Sequence, residues 1–180
     1  MPPAGGKVVI VTDSSSKASR TEEESRAATV PVTRITSRRP MEAGVMTERS
    51  AKEVVGEMFR RQQAGDDTAL DDLVAADMVN HAAGPQGREG LKGILRTIDN
   101  DLGPVTVEQH HLIGEGDLVA QHLTLHGTHR GSTMPLLAST AVSGRPAAWT
   151  FIHIWRVAGG IIVEHWACRD DMGLVEQLRG

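Results

Sequence analysis

The stretch Phe151–Leu178, FIHIWRVAGGIIVEHWACRDDMGLVEQL, decides the fold. Two apolar segments, Ala148–Val157 and Ile161–Ala167, flank the tight turn Ala158-Gly159-Gly160. Neither shows the alternation of a half-solvated strand. Strands that are apolar on both faces lie centrally in a sheet or in an interface. The segments therefore read as a hairpin at the heart of a sheet. Beyond Trp166 come Asp170 and Asp171 and a short closing helix, with Met172–Leu178 as its body. Asp170 suits the N-cap of that helix, because a short carboxylate can accept from its free N–H groups. Buried aromatic surface beside a carboxylate at a strand end also makes a pocket wall.

Upstream of this hairpin the period is two. Val105, Val107, Gln109, His111 and Ile113 alternate with Thr106, Glu108, His110 and Leu112. The turn Gly114–Asp117 reverses the chain, and Val119, Gln121, Leu123 and Leu125 then alternate with Ala120, His122, Thr124 and His126. Regular antiparallel pairing puts the odd-numbered residues on the apolar, core-facing side. Gln109, His111 and Gln121 are then the polar residues facing the core, and His110, His122 and His126 face outward.

Further upstream the period becomes helical. Thr47 is a fitting N-cap for a first helix, followed by Ala51, Val54, Val55, Met58 and Phe59 at helical spacing. A short second helix carries Leu70, Leu73 and Val74. VNHAAGPQG is a turn-rich stretch holding His81, and a third helix runs through Arg88–Asp101 with Leu91, Ile94, Leu95 and Ile98 on one stripe. Helices first and an antiparallel meander after them define an α+β architecture, with helices covering one face of a curved sheet. Residues 1–45 show no sustained period and read as a disordered tail or a mis-assigned start, with Met46 as the alternative start and 46–180 as the domain.

Composition excludes several functions. The 180 residues include three Trp, two Phe and no Tyr, too few rings for a platform that stacks single-stranded nucleic acid. Residues 46–180 carry 12 Lys and Arg against 18 Asp and Glu, the wrong sign for tracking phosphates. Nucleic acid is excluded as a partner. No run of 18 apolar residues spans a membrane, and the opening has only four consecutive apolar residues, too short for a secretory leader. The single Cys168 makes neither an internal disulfide nor a thiolate zinc site and fits a cytoplasmic protein. Eight histidines lie in the body, but no carboxylate joins them in a ligand motif, so no metal is expected.

From Met46 onward several strings recur in one order: Asn80-His81, Gly87-Arg88-Glu89-Gly90, Gly127-Thr128-His129-Arg130-Gly131, and Gly160-Ile161-Ile162-Val163-Glu164-His165-Trp166 followed by Asp170 and Gly173–Leu178. In these the chain resembles the SnoaL-like polyketide cyclases, also called ester cyclases, of the nuclear-transport-factor-2-like superfamily. The resemblance implies a cone-shaped α+β fold with a deep apolar pocket, a homodimer, and no cofactor. It also implies ring closure by intramolecular aldol condensation, in which an aspartate moves a proton at carbon. Carried onto this sequence, Asp170 is the candidate acid/base, with Asp171 as runner-up. His81, His129, His153 and Trp166 are the candidate substrate-binding residues. Ala167, directly after Trp166, departs from relatives that have a carboxylate there. Other enzymes of the same fold rely on tyrosine hydroxyls, which this chain lacks. The alternative to a cyclase or isomerase is a non-catalytic module that binds a small apolar molecule in the same pocket.

Overall fold

In the computed structural model, residues 49–179 are described; the expectations for the tail and for Thr47 lie outside them. The first helix, α1 (Ala51–Gln63), is capped by Ser50, not Thr47. Ser50 Oγ accepts from the Glu53 N–H, and the Glu53 carboxylate accepts from the Ser50 N–H at 2.8 Å, a reciprocal capping box. Its apolar stripe buries Ala51, Val54, Val55 and Met58. The short α2 (Ala69–Leu73) stops one residue before the expected end. Val74 instead opens β1 (Val74–Asn80), a strand hidden because its apolar residues, Val74, Ala75, Ala76, Met78 and Val79, do not alternate with polar ones.

The third helix, α3 (Gly87–Leu102), follows a tight loop. Gly87 has φ +72°, and a Cβ there would meet the Ala76 carbonyl oxygen at 2.6 Å, so only glycine lets the helix start against β1. Next come β2 (Thr106–Glu115), β3 (Leu118–Thr128), a single 3-10 turn at Pro135–Leu137, β4 (Pro146–Ala158), β5 (Ile161–Arg169) and α4 (Asp171–Arg179). Gly159 and Gly160, at φ +56° and +76°, form the two-residue turn between β4 and β5.

The five strands form one sheet in the order β1-β5-β4-β3-β2, antiparallel except for the parallel β1–β5 pair. The hairpin of apolar strands is central, as its composition requires. Its inner face carries Trp149, Phe151, His153, Trp155 and Val157 from β4. Two clusters of buried side chains fill the space under the helices. One joins α1, α2 and β1 to Val119, Trp155, Val157 and Ile162. The other joins the end of α3 and α4 to Leu123, Leu137, Trp149 and Phe151.

Two bulges set which residues face in. In β2, Gln109 pairs with Leu123 but His111 pairs with His122, so His110 is the extra residue. Beyond it the faces exchange: Leu112 packs on the inner cluster, while His111 lies outside, its ring stacked on His122. The core-facing position expected for His111 is thus corrected. In β5, Ile162 pairs with Val157 but Glu164 pairs with Arg156, so Val163 is the extra residue. His165 then stands opposite Trp155, and Ala167 opposite His153.

Candidate functional site

His153 sits on the inner face between the two clusters, flanked by Phe151 and Trp155, with ring centroids 5.2 and 5.3 Å away. Its Nδ1 lies 2.8 Å from Nε2 of His165 on the neighbouring strand. His165 is buried, stacked on Trp155 at 4.1 Å, and its Nδ1 lies 3.1 Å from Oδ1 of Asn80 at the end of β1. Three strands thus contribute one chain of polar groups, Asn80–His165–His153. The Nε2 of His153 has no hydrogen-bond partner among the described residues.

A second polar chain lies beside the first. The Trp155 indole donates to Gln121 Oε1 at 3.1 Å, and Gln121 Nε2 donates to Gln109 Oε1 at 2.9 Å. Gln121 is fully buried and stands opposite His153 on β3. Gln109 is exposed and keeps its own Nε2 without a partner among the described residues. On this side the inward-facing Val107 and Leu125 are only partly covered.

Electrostatics keep both imidazoles neutral. Burial pushes His153 down to about 3, helped by repulsion from His165 and Arg169. Burial also lowers His165 to about 4, with His81 adding to the effect. An imidazolium in such surroundings loses its hydration without gaining a counter-ion.

The other candidate residues are not gathered here. The extra residue Val163 turns Trp166 to the outer face, where it stacks on His81 at 4.3 Å with the rings 5° from parallel. His81 Nε2 is 2.7 Å from Glu164, which also accepts from Arg156 at 3.1 Å. His129 is fully buried in the loop after β3: its Nδ1 accepts from the Ser143 N–H, and its Nε2–H donates to Ser132 Oγ at 3.1 Å. Asp170 is exposed, and its Oδ1 accepts from the Gly173 N–H at 2.9 Å, the bond expected of an N-cap on α4. Asp171 pairs with Arg169 at 2.9 Å. Of the residues expected to bind substrate, His153 alone faces inward beside the polar chains. His165, Asn80 and Gln121 were not singled out as site residues. Unbulged pairing about Gly159-Gly160 sets Trp166, not His165, opposite His153, and no local signal marks Val163 as extra.

Two clefts are resolved elsewhere. One of about 490 Å³ is lined by Gln62, Asp66, Asp67, Leu70, Lys92, Leu95 and Arg96. The other, of about 270 Å³, lies by Ser50, Asp117 and Gly159. Among the described residues no group of His, Cys, Asp and Glu is arranged to hold a metal, and no helix is long and apolar enough to cross a membrane.

The sequence matches the family described as SnoaL-like polyketide cyclase over residues 53–178. The chain belongs to this family. Among solved structures, the SnoaL-like chain is similar to wild-type IdmH from Streptomyces antibioticus, at 28% identity over 72% of this chain and 99% of that one, with a TM-score of 0.62. It is similar to a SnoaL-like protein from Jannaschia sp. CCS1 at 16% identity, covering 81% and 98% of the two chains, with the same TM-score. A nuclear-transport-factor-2-like protein from Burkholderia thailandensis E264 shares the fold at a TM-score of 0.58, with 20% identity over 73% of this chain and 98% of that one. Comparison with curated proteins gives no match. The SnoaL-like domain is thus a nuclear-transport-factor-2-like α+β cone with a curved, mainly antiparallel sheet.

Proposed function

We propose that this SnoaL-like chain is a cofactor-free cyclase or isomerase acting on a small apolar, polyketide-like ester, with His153 moving the proton. The observation behind this reading is the neutral imidazole of His153, held by His165 and left with a free Nε2 on the inner face. A substrate that reaches the ring of His153 presents a C–H next to a carbonyl. His153 Nε2 takes that proton as the C–H pair moves into the carbonyl, giving an enolate. The enolate carbon then attacks a second carbonyl of the same molecule, and the imidazolium returns its proton to the new alkoxide. The step is redox-neutral overall and needs no external oxidant or reductant. Gln109 Nε2 is a free donor two strands from β4, roughly 10 Å away at ordinary strand spacing, placed for a second oxygen of a multi-ring substrate.

Asp170 as the acid/base is the competing assignment, and one pair of variants separates the two. With a panel of unclosed aromatic polyketide methyl esters, His153→Gln should lower turnover at least a hundredfold, the usual scale for a lost general base. Asp170→Asn should leave turnover within a few-fold and lower only the melting temperature. The opposite pattern returns the role to Asp170. If no member of the panel turns over but apolar ligands bind and quench tryptophan fluorescence, the non-catalytic binding module replaces the enzyme.

A homodimer in the cytoplasm completes the proposal. The outer face exposes Ile113 and Ile152, at 62% and 49%, beside Ile154 and the stacked His81–Trp166 pair. An apolar sheet face of this kind is a contact surface. Ile152→Glu should convert a dimer seen by sedimentation equilibrium into a monomer.

A further inference from the structure

Asn80 is clamped before it meets any histidine. Gln86 holds its backbone from both sides: Oε1 accepts from the Asn80 N–H and Nε2 donates to the Asn80 carbonyl, each at 2.8 Å. The side-chain amide is fixed as well. Its Nδ2 donates to the Pro85 carbonyl at 3.1 Å, and its Oδ1 accepts from the Ala82 N–H at 3.2 Å. A carbonyl only accepts and a backbone N–H only donates, so these two partners decide which end of the amide is oxygen.

That choice runs along the chain of rings. His165 Nδ1 faces the Asn80 oxygen, so Nδ1 must carry the hydrogen. A neutral imidazole has one N–H, which leaves His165 Nε2 as a bare lone pair. His153 Nδ1 faces that lone pair and must donate its own hydrogen to it. His153 is then left with an unprotonated Nε2. Reversing the Asn80 amide would reverse every step and turn His153 Nε2 into a donor.

We infer that Asn80 is a positioning residue whose amide oxygen sets the tautomer of His165 and, through it, that of His153, so that His153 offers a proton-accepting Nε2 to a ligand on the inner face. The functional consequence rests on the reading in which His153 moves the proton; the tautomers themselves do not. When a proton arrives at Nε2, the Nδ1–H of His153 stays bonded to His165 Nε2, and His165 Nδ1–H stays bonded to Asn80, so both bonds strengthen as charge develops. The ligand that fits is one with a hydrogen to give: a C–H beside a carbonyl, an enol or a phenol.

Long-range proton–nitrogen NMR of the full chain at pH 7 tests this without any substrate. The expected spectrum has pyrrole-type Nδ1 and pyridine-type Nε2 for both His153 and His165. Asn80→Asp keeps an acceptor in place and should keep both tautomers. Asn80→Ala removes it and should give His153 Nε2 a protonated population, with kcat reduced and KM little changed. A wild-type His153 with a protonated Nε2 overturns the inference whatever the variants do, as does an Asn80→Ala protein with unchanged tautomers. Should the spectra be as expected while His153→Gln keeps full turnover, the tautomer control stands and the proton-transfer role of His153 falls.

Discussion

His153 and Ala167 stand directly opposite each other across the β4–β5 pair, both on the inner face of the sheet. A carboxylate at 167 would therefore point to the same side as the His153 ring. Ala167→Asp should raise the titration midpoint of His153 by about one to three units, the range for an opposite charge a few ångströms away. NMR titration reads the shift directly. An unchanged midpoint would show that position 167 does not address His153.

The neutral histidine pair gives stability a predictable pH dependence. Both folded values, about 3 for His153 and about 4 for His165, lie below the ordinary 6.5. The unfolded chain therefore binds more protons in the interval between, and stability rises with pH there. The contribution is complete above pH 6.5 and is lost as pH falls toward those two values. His81 and Arg169 add repulsion to any charge on the pair and act in the same direction. Urea midpoints at pH 7 and pH 4.5 should differ more for the wild type than for His153→Gln.

Trp155 serves both polar chains, donating to Gln121 and stacking on His165. Trp155→Phe leaves the fully buried Gln121 oxygen without its donor, and an unpaired buried acceptor costs about 1–3 kcal/mol. Urea denaturation should show a loss of that size. Adding Gln121→Leu to Trp155→Phe should recover part of it, because the orphaned acceptor is then gone.

Asp101 plays a comparable part at the other end of the sheet. It is fully buried, and its carboxylate accepts from the Met134 N–H at 2.7 Å and from Thr133 Oγ1 at 2.8 Å. Burial alone would raise its pKa, but these bonds outweigh it and hold the carboxyl below the ordinary range. Its stabilising effect is present above the ordinary carboxylate value and disappears on strong acidification. Asp101→Asn should cost about 2 kcal/mol at neutral pH, since one charged acceptor is lost. Limited proteolysis at residues 130–134 should follow, because that loop is what the carboxylate holds.

The sequence made much of this fold legible, and the site residues it hid share one physical cause. The helical stripe of α3, the apolar hairpin and the Asp170 cap follow from local spacing and propensity. The inward face of β4 does not, although it is regular from Trp149 to Val157, because the strand is apolar on both faces. The pairing of Asn80, His165 and His153 depends instead on the register among three strands, and a single inserted residue decides it. Regular alternation along β4 keeps His153 in phase with Trp149 and Trp155, because β4 has no bulge on that side of the turn. The same rule applied to β5 favours Trp166, and applied to β2 favours His111, because Val163 and His110 each add one residue without any change in hydrophobicity. Bulges are local in geometry but non-local in cause: the partner strand determines where the extra residue goes.

The bulge at His110 also implies a change of phase in how β2 tolerates variation. Before it, the odd-numbered Val107 and Gln109 face the interior; after it, the even-numbered Leu112 does. A saturation scan along the strand would not show one continuous every-other-residue rhythm of intolerance. It would show two short rhythms out of step, joined at a position where deleting the residue is not tolerated, since that deletion would exchange inside for outside along half a strand.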